Sequence, residues 1–193
     1  MHYTVFDTPV IKPILKAISC FILKVLGWSS VNRDEGYKRY VLIAAPHTSN
    51  WDFPLFLVIV FAQDMTAYWL GKHTLFKWPF GGFVRWVGGI SVDRTKKTNM
   101  VQQCVEYFNS TAEMVITSAP EGTRSRVHKW KTGFYHIATG ANVPIALGFL
   151  DYKKKEGGIA KLFCPTGDVN SDIKTIREFY ANISGKNTEQ FVK

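Results

Sequence analysis

From Tyr40 onward, short apolar runs alternate with helix-length segments, and this alternation constrains the fold more than any other feature of the chain. Residues 40–45, 67–70, 89–92, 113–117, 144–150 and 159–163 read as strands. Residues 51–62, 97–109, 132–139 and 171–182 read as helices. Strands parted by helices predict a single-domain α/β fold, with a largely parallel sheet flanked by helices. A Lys-rich connection at 151–158, ending in Gly157-Gly158, predicts a hairpin between the last two strands and so a mixed sheet. Residues 76–86 read as irregular or helical, with the aromatics Phe76, Trp78, Phe80, Phe83 and Trp86 expected in the core or, beside a membrane, at the entrance to an apolar site. Residues 120–131 read as a polar loop. A chain of 193 residues buries a full core without disulfide or metal staples. Cys20, Cys104 and Cys164 have no redox or metal spacing and are expected as buried thiols in a reducing compartment.

The segment before this alternation has a different character. Ile11, Ile14, Leu15, Ile18, Ile22, Val25 and Leu26 recur at helical spacing, Lys12, Lys16 and Ser19 fall elsewhere, and Gly27 marks a stop. Pro13 belongs in a first helical turn, so the regular helix is expected to begin near it. Three lysines within the segment argue against a membrane span. An amphipathic helix lying in a membrane interface fits, with Trp28 at the headgroup level. An ordinary surface helix packed on its own domain is the alternative. Residues 1–30 are therefore read as a membrane-association segment and 31–193 as the folded domain. The run from Phe53 to Ala62 is too short to span and reads as a core helix.

Lysine and arginine number 24 against 15 aspartates and glutamates, a formal charge of +9 that favours anionic partners. No nucleic-acid-binding module accompanies that charge, so no nucleic-acid partner is expected. No G-x-S-x-G elbow occurs, and Gly71-Lys72 lacks the rest of a P-loop, which argues against a serine hydrolase and a nucleotide hydrolase. The five histidines form no metal-ligand motif, so no metal or cofactor is expected.

One of those histidines stands at a strand end. In His47-Thr48-Ser49-Asn50-Trp51-Asp52, an apolar run delivers His47 to a turn whose Thr48, Ser49 and Asn50 are suited to capping the next helix. A separation of five residues puts two side chains about 140° apart on a regular helix, so His47 and Asp52 meet only if His47 lies in the turn and Asp52 in the first helical turns. A histidine oriented by a carboxylate is a general base. In open α/β sheets functional groups gather beyond the carboxyl ends of strands, which brings His47, Lys72, Arg94 and the Glu121–Arg126 stretch toward one edge.

Further segments follow in order: Gly88-Gly89-Ile90-Ser91-Val92-Asp93-Arg94, then Pro120-Glu121-Gly122-Thr123-Arg124-Ser125-Arg126, then Val143-Pro144-Ile145. With His47 and Asp52 they resemble the four motif blocks of the glycerolipid acyltransferase family, which includes the lysophosphatidic acid acyltransferases. The resemblance runs from about Val41 to Phe149. It implies that His47 is the general base and Asp52 its orienting partner. Arg94, Glu121, Gly122, Thr123 and Arg124 correspond to the blocks that hold the acceptor's phosphate, and Lys72 resembles a lysine that faces the site. The fourth block departs from the family, because Pro144 is followed by Ile145-Ala146-Leu147-Gly148 without a second proline. The implied reaction moves an acyl group from acyl-CoA or acyl-carrier protein to a lysolipid hydroxyl, 1-acylglycerol-3-phosphate foremost, in phospholipid biosynthesis. The implied place is an anionic membrane surface at its cytoplasmic face, with the protein peripheral or monotopic. A non-catalytic peripheral lipid-binding protein of the same fold is the second reading, and the intact His47 and Asp52 favour the enzyme.

Overall fold

The computed structural model describes residues 3–34, 36–92 and 97–190. In chain order the elements are α1 (Ile11–Leu26), β1 (Ser29–Asn32), β2 (Arg39–Ala44), α2 (Asp52–Ala62), β3 (Ala67–Lys72), α3 (Gly81–Trp86), β4 (Gly89–Val92), α4 (Lys97–Ser110), β5 (Met114–Ser118), α5 (Gly133–Ala141), β6 (Ile145–Asp151), β7 (Glu156–Phe163) and α6 (Val169–Tyr180). The strands form one sheet in the order β1-β7-β6-β2-β5-β3-β4. All neighbours are parallel except the antiparallel hairpin of β6 and β7.

The two-residue period of the strands sorts the core into two layers. Val41 and Ile43 of β2, Ile116 of β5 and Ile145 and Leu147 of β6 face a layer closed by Phe108 of α4, Phe134 and Ile137 of α5, and Ile176 and Tyr180 of α6. Tyr40, Leu42, Val115 and Ala146 point the other way, into a layer that holds Val60 of α2, Ile11 and Leu15 of α1, and Trp86 of α3. Val5 and Phe6, ahead of α1, are buried in this second layer. The N-terminal segment thus contributes to the core of the domain.

Two local expectations need correction, and one strand had no counterpart among them. The Gly157-Gly158 pair lies within β7, and the hairpin turn runs through Tyr152–Lys155, where Lys155 takes φ +53°. Gly158 has another use: a Cβ there would lie 1.9 Å from the Val31 carbonyl oxygen, so only glycine lets β1 approach β7. Strand β1, Ser29-Ser30-Val31-Asn32, has a single apolar residue and so no apolar alternation, and it follows from that pairing alone. Of the cysteines, Cys104 is buried but Cys20 and Cys164 are exposed, Cys20 because it lies on the outer side of α1.

Helix α1 ends at Gly27 in the left-handed conformation, and Pro13 sits in its first turn. Its apolar arc is wider than the surface available to cover it. Ile11, Leu15 and Ile22 lean on the domain, Ser19 and Leu23 are buried, and Ile14, Ile18, Phe21 and Val25 face outward. Lys12 and Lys16 pair with Asp64 at 3.0 and 3.5 Å. Helix α2 is apolar all round, yet only Ile59 and Val60 among its hydrophobic residues are buried. The aromatic stretch also departs from a core role. Phe76 is buried, but Trp78 is 93% exposed and Phe80 and Phe83 also face outward.

Candidate active site

Strand β2 ends at Ala44 on the carboxyl edge of the sheet, and the chain turns before Asp52 opens α2. That turn brings the two residues together as their spacing requires. His47 Nδ1 lies 3.1 Å from Asp52 Oδ2, and the acceptor carboxylate places the ring hydrogen on Nδ1 and leaves Nε2 with its lone pair. The expected side-chain caps are absent from α2. The local donors instead serve Asp52: the Thr48 and Ser49 backbone N–H groups donate to Oδ2 at 2.8 and 2.9 Å. The other oxygen, Oδ1, accepts from the Tyr152 hydroxyl at 2.7 Å. Burial opposes ionisation of Asp52, which is 4% exposed, but hydrogen bonds from His47, Tyr152 and Ser49 outweigh it and hold the carboxyl below its ordinary range. The imidazole side chain is 25% exposed, open enough for a substrate to reach.

Glu121 sits behind this loop. Its Oε2 accepts from the His47 backbone N–H at 2.8 Å, and its side chain is buried, with Oε1 lacking a partner among the described residues. Burial, with the nearby Asp52 charge adding to it, pushes the Glu121 carboxyl up to about 8, so it is mostly neutral at pH 7. The buried Glu121 carboxyl braces the His47 loop through that backbone N–H.

The cationic residues lie on the rim. Arg124 donates to Asn50 Oδ1, tying the loop after β5 to the histidine loop. Gly122 takes φ +66°, and a Cβ there would lie 2.7 Å from Lys131 Nζ, so glycine supplies the turn and leaves room for the lysine stem. Lys72, at the end of β3, Thr123, Arg124, Lys129 and Lys131 are exposed, and all line the same cavity as His47 and Asp52. The cavity, about 1100 Å³, runs from this rim between α2 and the sheet past Phe53, Phe56, Trp69, Val84 and Ile159. Arg94 lies outside the described residues. The structure therefore gathers His47, Asp52, Lys72, Glu121, Gly122, Thr123 and Arg124 at one edge.

Three further residues border the site, of which Tyr152 and Asn187 carried no signal in the sequence. Tyr152 comes from the β6–β7 turn, Lys131 from the far end of the polar loop, and Asn187 from beyond α6. Asn187 N–H donates to Thr48 Oγ1 at 3.1 Å and its side-chain amide to the Thr48 carbonyl at 2.9 Å. Lys186 lies over the Trp51 ring, 5.1 Å from its centroid.

A base oriented by a buried carboxylate, beside cations and a long apolar cavity, suits transfer chemistry on an amphipathic substrate. Comparison with known proteins agrees. The acyltransferase family model matches residues 23–146. Among solved structures, the fold is similar to the 1-acyl-sn-glycerophosphate (LPA) acyltransferase PlsC from Thermotoga maritima, with a TM-score of 0.55 and 16% identity over 91% of this chain and 82% of that one. At that identity the likeness establishes the fold. No curated protein matches the sequence.

Proposed function

The chain belongs to the acyltransferase family, and from that premise we propose that it transfers a fatty acyl group from a thioester donor to the hydroxyl of a lysophospholipid-like acceptor. The acceptor is 1-acylglycerol-3-phosphate foremost, and the donor is acyl-CoA or acyl-carrier protein. The observation that carries this reading is the His47–Asp52 hydrogen bond on the wall of an apolar cavity rimmed by cations.

In the proposed reaction the acceptor hydroxyl attacks the thioester carbonyl carbon while His47 Nε2 takes its proton. The new C–O bond forms, and Asp52 stabilises the resulting imidazolium. Collapse of the tetrahedral intermediate breaks the C–S bond, and the imidazolium proton goes to the departing sulfur. No serine nucleophile is needed, because a thiolate leaves readily. Arg124, Lys131 and Lys72 offer the acceptor phosphate charged donors, the guanidinium in a planar fork. The apolar cavity houses the acyl chain.

The proposed location is the cytoplasmic face of an anionic membrane, held peripherally or monotopically. Among the described residues no helix is long and apolar enough to cross a membrane. The outward arc of α1 and the Trp78–Phe80 turn support attachment to the surface instead. Both sit on the α2 side of the sheet, with Lys77 and Arg85 flanking the aromatic turn.

The test is acceptor-dependent thiol release from medium- and long-chain acyl-CoA over a panel of lysolipids. His47→Ala is expected to lower the rate by at least about 10²-fold with an unchanged melting temperature. Activity of that variant within a few-fold of the parent overturns the mechanism. Absence of acceptor-dependent release in the parent favours the lipid-binding reading.

A further inference from the structure

The catalytic carboxylate is held unevenly. Asp52 Oδ2 receives His47 Nδ1–H and two backbone N–H groups, whereas Oδ1 receives the Tyr152 hydroxyl, 100 residues away in sequence. We propose that Tyr152 is a positioning residue for the His47–Asp52 pair, fixing the carboxylate plane so that Oδ2 stays on the imidazole. This rests on the acyl-transfer reading above.

Tyr152 is well placed for that work and badly placed for touching substrate. It is absent from the cavity wall formed by the described residues. Its backbone N–H donates to the Ser184 carbonyl at 2.9 Å, and its ring meets Trp28 edge to face with centroids 5.1 Å apart. The turn that carries it is stiff, because Asp151 Oδ1 accepts from the Lys153 and Lys154 backbone N–H groups at 3.0 and 3.1 Å. The turn is also fastened to the end of α1: Ser29 N–H donates to the Lys155 carbonyl at 2.9 Å, and Lys155 Nζ donates to the Leu26 carbonyl at 3.0 Å. A rigid turn, braced by the helix in front of it, aims a phenol at the one oxygen of Asp52 that the local loop leaves unserved.

Two effects on the reaction follow. A carboxylate anchored at both oxygens cannot rotate, so the imidazole keeps its hydrogen on Nδ1 and its lone pair toward the cavity. The phenol also draws negative charge toward Oδ1 and moderates the pull of Oδ2 on the imidazolium. Burial raises the Tyr152 hydroxyl pKa, and the Asp52 hydrogen bond adds to that, so the phenol stays a donor throughout the working pH range.

The test is Tyr152→Phe, which keeps the ring on Trp28 and removes only the hydroxyl. The expected result is a fall in kcat of about 10-fold with both KM values within about twofold. The acid limb of the kcat–pH profile is expected to move to higher pH, because the freed carboxylate holds the imidazolium proton more strongly. In an Asp52→Asn background the same change should cost little further, since the oxygen it served no longer carries charge. Unchanged kcat and pH profile in a folded Tyr152→Phe protein overturn the proposal, as does an equal loss in both backgrounds. Should Tyr152→Phe not fold, Trp28→Leu is read instead. It leaves the hydroxyl in place but removes the brace, and a kcat loss with unchanged KM supports the proposal while an unchanged kcat defeats it. If the parent transfers no acyl group, the functional reading has failed; if the parent is active and the variants match it, only this inference has.

Discussion

Helices α4, α5 and α6 close one face of the sheet over fully buried Phe108, Phe134, Ile137 and Tyr180, whereas α1, α2 and α3 leave the opposite face half covered. On the closed face Tyr180 donates to the Gly148 carbonyl at 2.9 Å, and Trp130 packs against it. On the open face an apolar cavity separates α2 from the sheet, and Ile14, Phe21, Trp78 and Phe80 point outward. The contrast teaches where stability and access reside. One layer is packed to hold the strands in register. The other leaves apolar surface on a cavity wall and on an outward face that no part of the described domain covers.

The sharpest way to break that contrast is a pair of truncations. Phe134→Ala in the closed layer is expected to cost about 3–5 kcal/mol by chemical denaturation. Phe56→Ala on the cavity wall should cost about 1 kcal/mol, because its side chain is only partly covered, and should shift the preferred acyl length instead. Equal costs would mean that both layers are packed alike. The outer face is probed by Phe21→Glu, which is expected to lower partition onto anionic vesicles about 10-fold at unchanged melting temperature. Such point changes are needed because Val5 and Phe6 fill the core, so deleting the N-terminal segment would unfold as well as detach.

Glu121 sharpens the comparison where the closed layer meets the site. Its carboxyl is raised from 4.5 to about 8, so its contribution to folding is full below the first value and lost as pH rises through the second. Glu121→Gln removes that loss while its amide oxygen still accepts from His47 N–H. The melting temperature of the variant should therefore gain on that of the parent between pH 5 and pH 9, and a constant gap would show that Glu121 is not held neutral. The smallest effect is expected at the exposed Lys12–Asp64 and Lys16–Asp64 pairs, where Asp64→Asn should change stability by less than about 1 kcal/mol.

What the sequence could disclose followed the range of the interaction. The strands β2, β5 and β6 were legible because burial on both faces leaves continuous apolar runs such as Val41-Leu42-Ile43. The His47–Asp52 pair was legible because both partners belong to one turn. Tyr152 and Asn187 were not, since their bonds reach back 100 and 139 residues and leave no local pattern. Strand β1 was silent because its pairing depends on the missing side chain of Gly158. For α1 the periodicity predicted an apolar arc but not how much of it the domain would cover, which depends on the size of α2 beside it. Thr48, Ser49 and Asn50 looked like helix caps and serve other bonds: Thr48 accepts from Asn187, and Asn50 accepts from Arg124.

The bond from Asn187 to Thr48 bears on how the enzyme is made. A ribosome synthesises Thr48 long before Asn187, so a growing chain displays His47 and Asp52 while the clasp over their loop does not yet exist. The His47 loop is therefore completed by a long-range contact, and its Thr48 anchor forms only once the segment beyond α6 is present.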